Sequence, residues 1–136
     1  MCELIKSITL RSLPPGYQNS FKGTHSFEKR KDEAQRIKSK YPDRIPVIVE
    51  MMKGSLAPMV DKNKYLVPVD LTLAQFMFVI RKRVKLDSQQ AMFVFANGCP
   101  TETTASMGAI YDRQKDEDGF LYMTYATENT FGYFFM

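Results

Sequence analysis

The sequence contains few of the residues that carry most enzyme chemistry. Among its 136 residues are two cysteines, Cys2 and Cys99, a single histidine, His25, and no tryptophan. The cysteines match neither a disulfide framework nor a C-x-x-C pattern, and no local signature supports a nucleophile–base pair of His25 with either thiol. No G-x-x-x-x-G-K or G-x-G-x-x-G phosphate loop is present. We therefore expect a protein that is not an enzyme and that holds no metal and no cofactor.

The sequence also lacks the features of an exported, membrane-spanning or commonly lipidated protein. No apolar run approaches the ~20 residues that span a bilayer, and Glu3 and Lys6 interrupt any signal-peptide core. Position 2 is cysteine instead of the glycine needed for myristoylation, and no cysteine lies at the prenylation position near the end. We expect a reducing, cytoplasmic location, with any membrane anchoring supplied by other chemistry.

Charge of one sign is not in large excess. The net charge is +4, the isoelectric point is about 9.1, and hydrophobic and charged residues make up 44% and 25% of the chain. This balance is typical of one globular domain that buries a core without disulfides or metals. A surplus of this size is usually solvated surface, so no nucleic-acid partner is expected, although anionic lipid or tubulin would suit the same charge.

Hydrophobic periodicity and turn residues predict a mixed order of helices and strands. After a weak helical turn around 19–24, the pattern predicts helices over 26–40, 72–85 and 106–114, and strands over 44–51, 64–69, 91–96 and 120–126. Ser26 marks one helix start, and the capping box from Thr72 to Gln75 marks another. Two strands, a crossing helix and two further strands predict an α+β fold, the β-grasp or ubiquitin-like arrangement, with an added N-terminal helical part.

The expected organisation is one domain with two appended ends. Residues 1–18 contain a Pro-Pro-Gly breaker and no sustained period, which predicts a flexible N-terminal extension. Residues 19–126 form the predicted ubiquitin-like domain, with a helical part at 19–43 and a β-grasp core at 44–126. Residues 127–136 are predicted to be a flexible tail, and they end in four bulky apolar residues, Tyr133-Phe134-Phe135-Met136.

The second predicted strand, 64–69, is expected to lie at an edge of the sheet, because Pro68 cannot donate to a hydrogen-bond ladder. Tyr65 and Leu66 would then be exposed at that edge. An exposed apolar edge strand can pair with other chains and cause aggregation unless a specific partner occupies it. An extended peptide could use it by adding a strand through main-chain hydrogen bonds, with alternate side chains in pockets.

Two further apolar features lie near this edge. On the helix at 72–85, Phe76 and Val79 fall beside the core stripe, and we expect both to be partly uncovered. Ile48 lies on an apolar second face of the strand at 44–51. That face and Leu66 are either left open for a partner or covered by the N-terminal helix of the protein itself, and periodicity does not decide between the two.

Four stretches together resemble a known family. These are FEKRKDEAQRIKSKYPDRIPVIVE, DKNKYLVPVDLT, QFMFVIRKRVKL and DEDGFLYMTYATENTFG. They are similar, in order and spacing over about residues 19–132, to the ubiquitin-like autophagy modifiers of the GABA-receptor-associated protein and microtubule-associated light-chain type. The resemblance implies a β-grasp fold with two additional N-terminal helices and no enzyme activity. It also implies cleavage by a cysteine protease after a glycine, here Gly132, and conjugation by E1-like and E2-like enzymes to phosphatidylethanolamine.

The resemblance further implies two pockets that bind aromatic-x-x-aliphatic motifs of receptors and adaptors. The aromatic pocket would consist of Glu33, Ile37, Pro46, Ile48, Lys64, Leu66 and Phe120, and the aliphatic pocket of Tyr65, Val67, Pro68, Leu71, Phe76, Val79 and Arg83. Lys64, Arg83 and Arg44 would attract acidic residues that flank the motif. Phe93 and Phe95 match a pair that contacts the processing protease.

These observations lead to one expected function and one alternative. The expected function is an autophagy modifier that is cytoplasmic when free and bound to the autophagosome membrane when lipidated. The alternative is a basic binding module for tubulin or RNA that uses the helix at 27–40 and is never conjugated. The leader at 1–18 and the apolar tail, Tyr133-Phe134-Phe135-Met136, depart from the family pattern.

Overall fold

The computed structural model describes residues 20–52, 63–86 and 90–127. Within those ranges the chain forms four helices and five strands. The helices are α1 (Phe21–Thr24), α2 (Phe27–Lys40), α3 (Leu73–Val84) and α4 (Met107–Gln114), and the strands are β1 (Arg44–Met51), β2 (Lys64–Pro68), β3 (Met92–Ala96), β4 (Cys99–Pro100) and β5 (Leu121–Thr127). No helix in these ranges combines the length and hydropathy needed to cross a bilayer.

The strands form one mixed sheet in the order β2-β1-β5-β3-β4. β1 is parallel to β5, and the other neighbouring strands are antiparallel. The helix α3 crosses between the first and second halves of the sheet, so the predicted β-grasp architecture and the α+β class are confirmed. The sequence pattern does not predict β4, which forms because Asn97 and Gly98 adopt φ values of 51° and 78° and close a tight hairpin.

The caps that the sequence predicts for the two long helices are present. The Ser26 side chain accepts a hydrogen bond from the Lys29 amide and begins α2. At the start of α3, the Thr72 hydroxyl accepts from the Gln75 amide, and the Gln75 side chain accepts from the Thr72 amide. Each cap satisfies an amide that would otherwise lack an intrahelical partner. Local sequence therefore fixes where these helices begin.

Helices cover both faces of the sheet. The larger core lies between one face of the sheet and the helices α3 and α4. The smaller core lies on the second face and contains Phe21, Ala34, Ile48, Phe120 and Tyr122, with Ile37 packed against it. Because Ile48 is 0% exposed, the alternative in which the protein's own N-terminal helices cover this face is the correct one at that residue.

The contact between α2 and the loop that precedes β5 is close at the middle of the helix. Gly119 has φ +95°, and a Cβ at that position would lie 3.0 Å from the Ala34 Cβ. Ala34 is buried, but Phe27 and Tyr41, at the two ends of the helix, are 41% and 37% exposed. The packing of α2 on the rest of the domain is therefore centred on Ala34 and does not extend to the aromatic residues at its two ends.

Polar contacts hold α1 and α2 against the loop that precedes β5. Arg30 donates to Asp118 at 2.5 Å, and the Tyr122 hydroxyl donates to the same carboxylate. Asp118 is 1% exposed and also accepts from the Phe120 amide at 2.8 Å. Burial and the hydrogen bond to Asp118 raise the pKa of Tyr122, so the phenol stays neutral. We call Arg30, Asp118 and Tyr122 the helix clamp.

A second ion pair, beside the helix clamp, makes stability depend on pH. Lys22 Nζ lies 2.7 Å from Asp116 Oδ1. Burial would raise the pKa of this carboxyl, but the hydrogen bonds from Lys22 and from the Asp118 amide outweigh it and hold the pKa of Asp116 below its usual value. Stability from such a group is present above the unfolded-state pKa and is lost as the pH falls through the native pKa.

We expect the free energy of unfolding of Asp116→Asn to fall less steeply with acid than that of the wild type. Urea titrations at several values between about pH 5 and about pH 2.5 measure this, since the wild-type carboxylate loses its contribution in that window. Asp112→Asn is a suitable control, because Asp112 is exposed on α4. Parallel curves for wild type and Asp116→Asn would contradict the assignment.

Candidate peptide-docking site

The strand β2 forms an open edge of the sheet. Within the described residues it pairs only with β1, in a register that puts Leu66 opposite Pro46 and Lys64 opposite Ile48. Val49 donates to the Asn63 carbonyl at 2.7 Å, which fixes the alternation of the ladder. The main-chain groups of Lys64 and Leu66 therefore face outward. The edge position predicted from Pro68 is confirmed.

Side chains along β2 alternate between the core and the surface. Tyr65 and Val67 are 8% and 3% exposed and face the larger core, whereas Leu66 is half-buried and Pro68 is exposed. The expectation that Tyr65 is exposed is therefore wrong. Its ring packs edge-on against Phe76 with the centroids 5.5 Å apart, which removes both rings from solvent. The strand thus offers outward main-chain groups beside the side chains of Lys64, Leu66 and Pro68.

The predicted aromatic pocket lies between β2 and α2. Lys64 Nζ lies 2.6 Å from Glu33 Oε1 and 5.3 Å from the centre of the Phe21 ring. Ile37 is half-buried beside this bridge. The remaining members are beneath the surface: Pro46 is buried, and Ile48 and Phe120 are 0% exposed. The structure therefore brings the predicted residues together, with Glu33, Ile37, Lys64 and Leu66 at the surface and Pro46, Ile48 and Phe120 supporting them from below.

The predicted aliphatic pocket lies between β2 and α3. Val67 and the Tyr65–Phe76 ring pair form its buried base. Leu71 is half-buried, and Pro68, Val79 and Arg83 are exposed at its rim. Val79 is 39% exposed, as expected, but Phe76 is only 2% exposed, so the expectation that it is uncovered is wrong. The core stripe of α3 runs through Leu73, Phe76, Ile80 and Val84, which turns Phe76 inward.

Sequence reasoning missed a depression that adjoins the aromatic pocket. Its volume is about 290 Å³, and it is lined by Glu33, Arg36, Ile37, Lys40 and Tyr41. These residues recur at intervals of three and four along α2, so the helical spacing itself carried a usable signal. Two of them, Arg36 and Lys40, carry positive charge, and Arg36 Nε lies 3.3 Å from Asp32 Oδ2. The surface around the open edge therefore suits a ligand with negative charge next to an apolar group.

The remaining predicted site residues lie away from this edge or outside the described residues. Phe93 and Phe95 lie on β3, where Phe93 is 40% exposed and Phe95 is half-buried. Gly132 and the tail that follows it lie outside the described residues, as do residues 1–18 and most of the loop after β1. In the described parts of the chain no group of three or more His, Cys, Asp or Glu side chains could hold a metal ion.

Comparison with known proteins identifies the family. A family model described as autophagy protein Atg8 ubiquitin-like matches residues 29–132. Autophagy-related protein 8c of Arabidopsis thaliana is 59% identical over 114 residues, which cover 84% of this chain and 96% of the relative. Autophagy-related protein 8 of Mycosarcoma maydis is 57% identical over 115 residues, covering 85% and 98%. The crystal structure of Trypanosoma brucei ATG8 matches with a TM-score of 0.75 at 44% identity, covering 79% of this chain and 93% of that one. The chain therefore belongs to the Atg8 family of ubiquitin-like autophagy proteins.

Proposed function

We propose that this protein is an autophagy modifier that is cleaved after Gly132 and conjugated to phosphatidylethanolamine. On the membrane it then recruits receptors that carry aromatic-x-x-aliphatic motifs. The observation that carries the proposal is the open β2 edge, whose outward main-chain groups lie next to the Lys64–Glu33 bridge and the depression on α2 that Glu33 lines. Family membership supports the conjugation step, for which a cysteine protease and E1-like and E2-like enzymes are the expected partners.

Peptide docking in this proposal has a main-chain part and a side-chain part. An extended peptide would hydrogen-bond the outward N–H and C=O groups of Lys64 and Leu66 as an added strand. Its aromatic side chain would enter the pocket between β2 and α2, and its aliphatic side chain would pack on Val79 and Pro68. Acidic residues next to the motif would face Lys64 and Arg83, which favours association and orientation more than raw affinity.

The C-terminal step supplies membrane attachment that the described helices do not provide. Glycine has no side chain, so a chain ending at Gly132 fits a narrow enzyme channel and presents an unhindered carboxylate. With ATP as co-reactant, the E1-like enzyme would convert that carboxylate to an acyl-adenylate and release pyrophosphate. An enzyme thiol would then displace AMP to form a thioester, and the lipid amine would displace the thiol to form the amide. Burial of two acyl chains contributes about 0.8 kcal/mol per methylene, which holds a small domain on a bilayer. The proposed location is therefore cytoplasmic before conjugation and autophagosomal after it.

We expect Val79→Asp to weaken binding of an aromatic-x-x-aliphatic peptide about tenfold or more, because it buries a carboxylate against an apolar side chain. Val79 is 39% exposed, so the substitution should leave the free energy of unfolding nearly unchanged. Fluorescence anisotropy of a labelled synthetic peptide with acidic residues before the motif measures the dissociation constant. Urea unfolding measures the stability.

Phe78→Asp is the matched control for this experiment. Phe78 is adjacent on the same helix and is 59% exposed, but it lies outside the predicted pocket. It should bind the peptide with nearly wild-type affinity. Equal weakening by both substitutions would indicate a general charge effect and would contradict docking at the β2–α3 pocket.

A further inference from the structure

An aromatic side chain and basic side chains lie together on the outer face of α3. Phe78 is 59% exposed, more than any other large apolar side chain that the structure describes. Lys82, one turn further along the helix, is exposed and places its Nζ 4.6 Å from the centre of the Phe78 ring. Lys85, the C-terminal cap of the helix, is exposed as well. We call Phe78, Lys82 and Lys85 the α3 outer row.

The charge around this row has one sign. The sequence from 71 to 86 contains four cations, at positions 81, 82, 83 and 85, and no Asp or Glu. The net charge of the whole chain is also +4. Cations near the end of a helix interact favourably with its dipole, but that effect does not account for the exposed ring of Phe78 beside them. Basic side chains next to an exposed aromatic ring suit a surface that is anionic outside and apolar beneath, which describes an acidic bilayer.

The α3 outer row lies on a different side of the helix from the proposed peptide site. Val79 and Arg83 belong to the pocket between α3 and β2, whereas Phe78 and Lys82 each precede one of them by one residue. Successive residues of a helix are about 100° apart around its axis. A bilayer in contact with the row therefore leaves the β2 edge open to a peptide.

The basic end of α3 lies at the end of the domain where β5 finishes. The helix begins at the opposite end, after Pro68, which lies opposite Arg44 at the start of β1. Twelve residues of helix extend about 18 Å. The chain then enters β3 at Met92, which lies opposite Thr127, the last residue of β5. The row is therefore near the point from which the chain continues toward Gly132.

We propose that the α3 outer row contacts the anionic surface of the membrane to which the chain is attached. The ring of Phe78 enters the boundary between headgroups and acyl chains, and the ammonium groups of Lys82 and Lys85 lie beside anionic headgroups. The inference rests on the proposed attachment at Gly132. A five-residue chain from Thr127 to that position spans at most about 17 Å, which exceeds the ~10–12 Å diameter of a helix. Attachment raises the local concentration, so that a weak contact is occupied.

A single tryptophan tests this contact without the conjugation enzymes. The chain contains no tryptophan, so Phe78→Trp introduces one fluorophore into the row. The full chain, with a hexahistidine tag after Met136, is held on vesicles of acyl-brominated phosphatidylcholine, about a third phosphatidylserine and a nickel-chelating lipid. Bromine quenches a fluorophore that enters the acyl region, so we expect emission about half of that on unbrominated vesicles. Adding Lys82→Glu should restore most of the emission, whereas adding Lys82→Arg should preserve the quenching.

Two controls separate this contact from general effects. Phe27 is 41% exposed and also has cations beside its ring, but it lies on α2, so Phe27→Trp should not be quenched. Lys115→Glu makes the same charge change at the exposed end of α4 and should leave the quenching of Phe78→Trp unchanged. Absence of that quenching would overturn the proposal, as would quenching of Phe27→Trp in its place or equal effects of the two lysine reversals. The nickel tether replaces the enzymes, so these outcomes do not depend on cleavage or conjugation at Gly132.

Discussion

Gly132→Ala should abolish both trimming of the last four residues and attachment of the lipid. A Cβ at this position would crowd the narrow channel through which a protease or conjugating enzyme reads the chain end, and it would hinder attack on the carbonyl. The expected readout in cells is a protein that keeps its full mass and stays out of the membrane fraction. Gel mobility and membrane fractionation of a protein tagged at its N-terminus measure these two effects.

Two further variants separate trimming from conjugation. A chain that ends at Gly132 should be lipidated without the protease, whereas the same truncated chain with Gly132→Ala should not be lipidated. Tyr133→Ala, next to the cleavage position, is the matched control and should be processed normally, because Tyr133 leaves with the tail. Lipid attachment to the truncated Gly132→Ala chain would contradict the assignment of Gly132 as the reactive end.

Asp118→Ala should lower the free energy of unfolding by about 3–5 kcal/mol, the cost of leaving a buried charge without its partner. The carboxylate is 1% exposed and accepts from Arg30, from the Tyr122 hydroxyl and from the Phe120 amide. Its removal leaves a guanidinium that is 11% exposed and a buried hydroxyl without their acceptor. Urea unfolding followed by circular dichroism measures the loss.

A double variant tests whether the ion pair itself causes this loss. Replacing both partners, as in Arg30→Met with Asp118→Leu, should destabilise less than Asp118→Ala alone, because no unpaired buried charge remains. Tyr122→Phe should cost much less than Asp118→Ala, since it removes a neutral donor. Because the helix clamp also positions Phe120 beneath the aromatic pocket, Asp118→Ala should weaken peptide binding too. A loss of stability below about 1 kcal/mol would contradict the assignment of Asp118 as a buried structural charge.

Local chemistry made the order of the elements predictable. β1 matches the predicted strand at 44–51, and α2 and α3 begin directly after their predicted caps, Ser26 and Thr72. Strand ends shifted by one residue in β2, β3 and β5, because the last ladder bonds depend on neighbours that are distant in sequence. β4 escaped prediction since its two residues carry no periodic pattern, and the Asn97-Gly98 pair before it signals a turn but not the length of the strand that follows.

Burial was less predictable than secondary structure. Periodicity could not decide whether Ile48 was covered, because the covering residues Phe21 and Ala34 come from helices that pack on the sheet only in the folded chain. Periodicity placed Phe76 beside the core stripe of α3. In the structure Phe76 faces the core, where its ring packs against the ring of Tyr65 on β2. A charged residue such as Asp118 is expected to be exposed unless it is paired. The sequence did not indicate the pairing, because the partner Arg30 lies 88 positions away. These outcomes depend on tertiary contacts.

The pocket residues came from family resemblance and not from spacing alone. The structure brings Glu33 and Lys64 to 2.6 Å and places Leu66 at the open edge, an arrangement compatible with peptide docking. Their role in binding stays a prediction until a peptide is titrated. Phe93 and Phe95 stay predicted contacts of the protease, and the structure places both on β3.

The most direct test of the central claim is mass spectrometry of the C-terminal peptide from cells, with membrane and soluble fractions compared. We predict a soluble form that ends at Gly132 and a membrane form whose Gly132 carries the mass of phosphatidylethanolamine. The last four residues should be missing from both. Recovery of peptides that end only at Met136, in both fractions, would contradict the account.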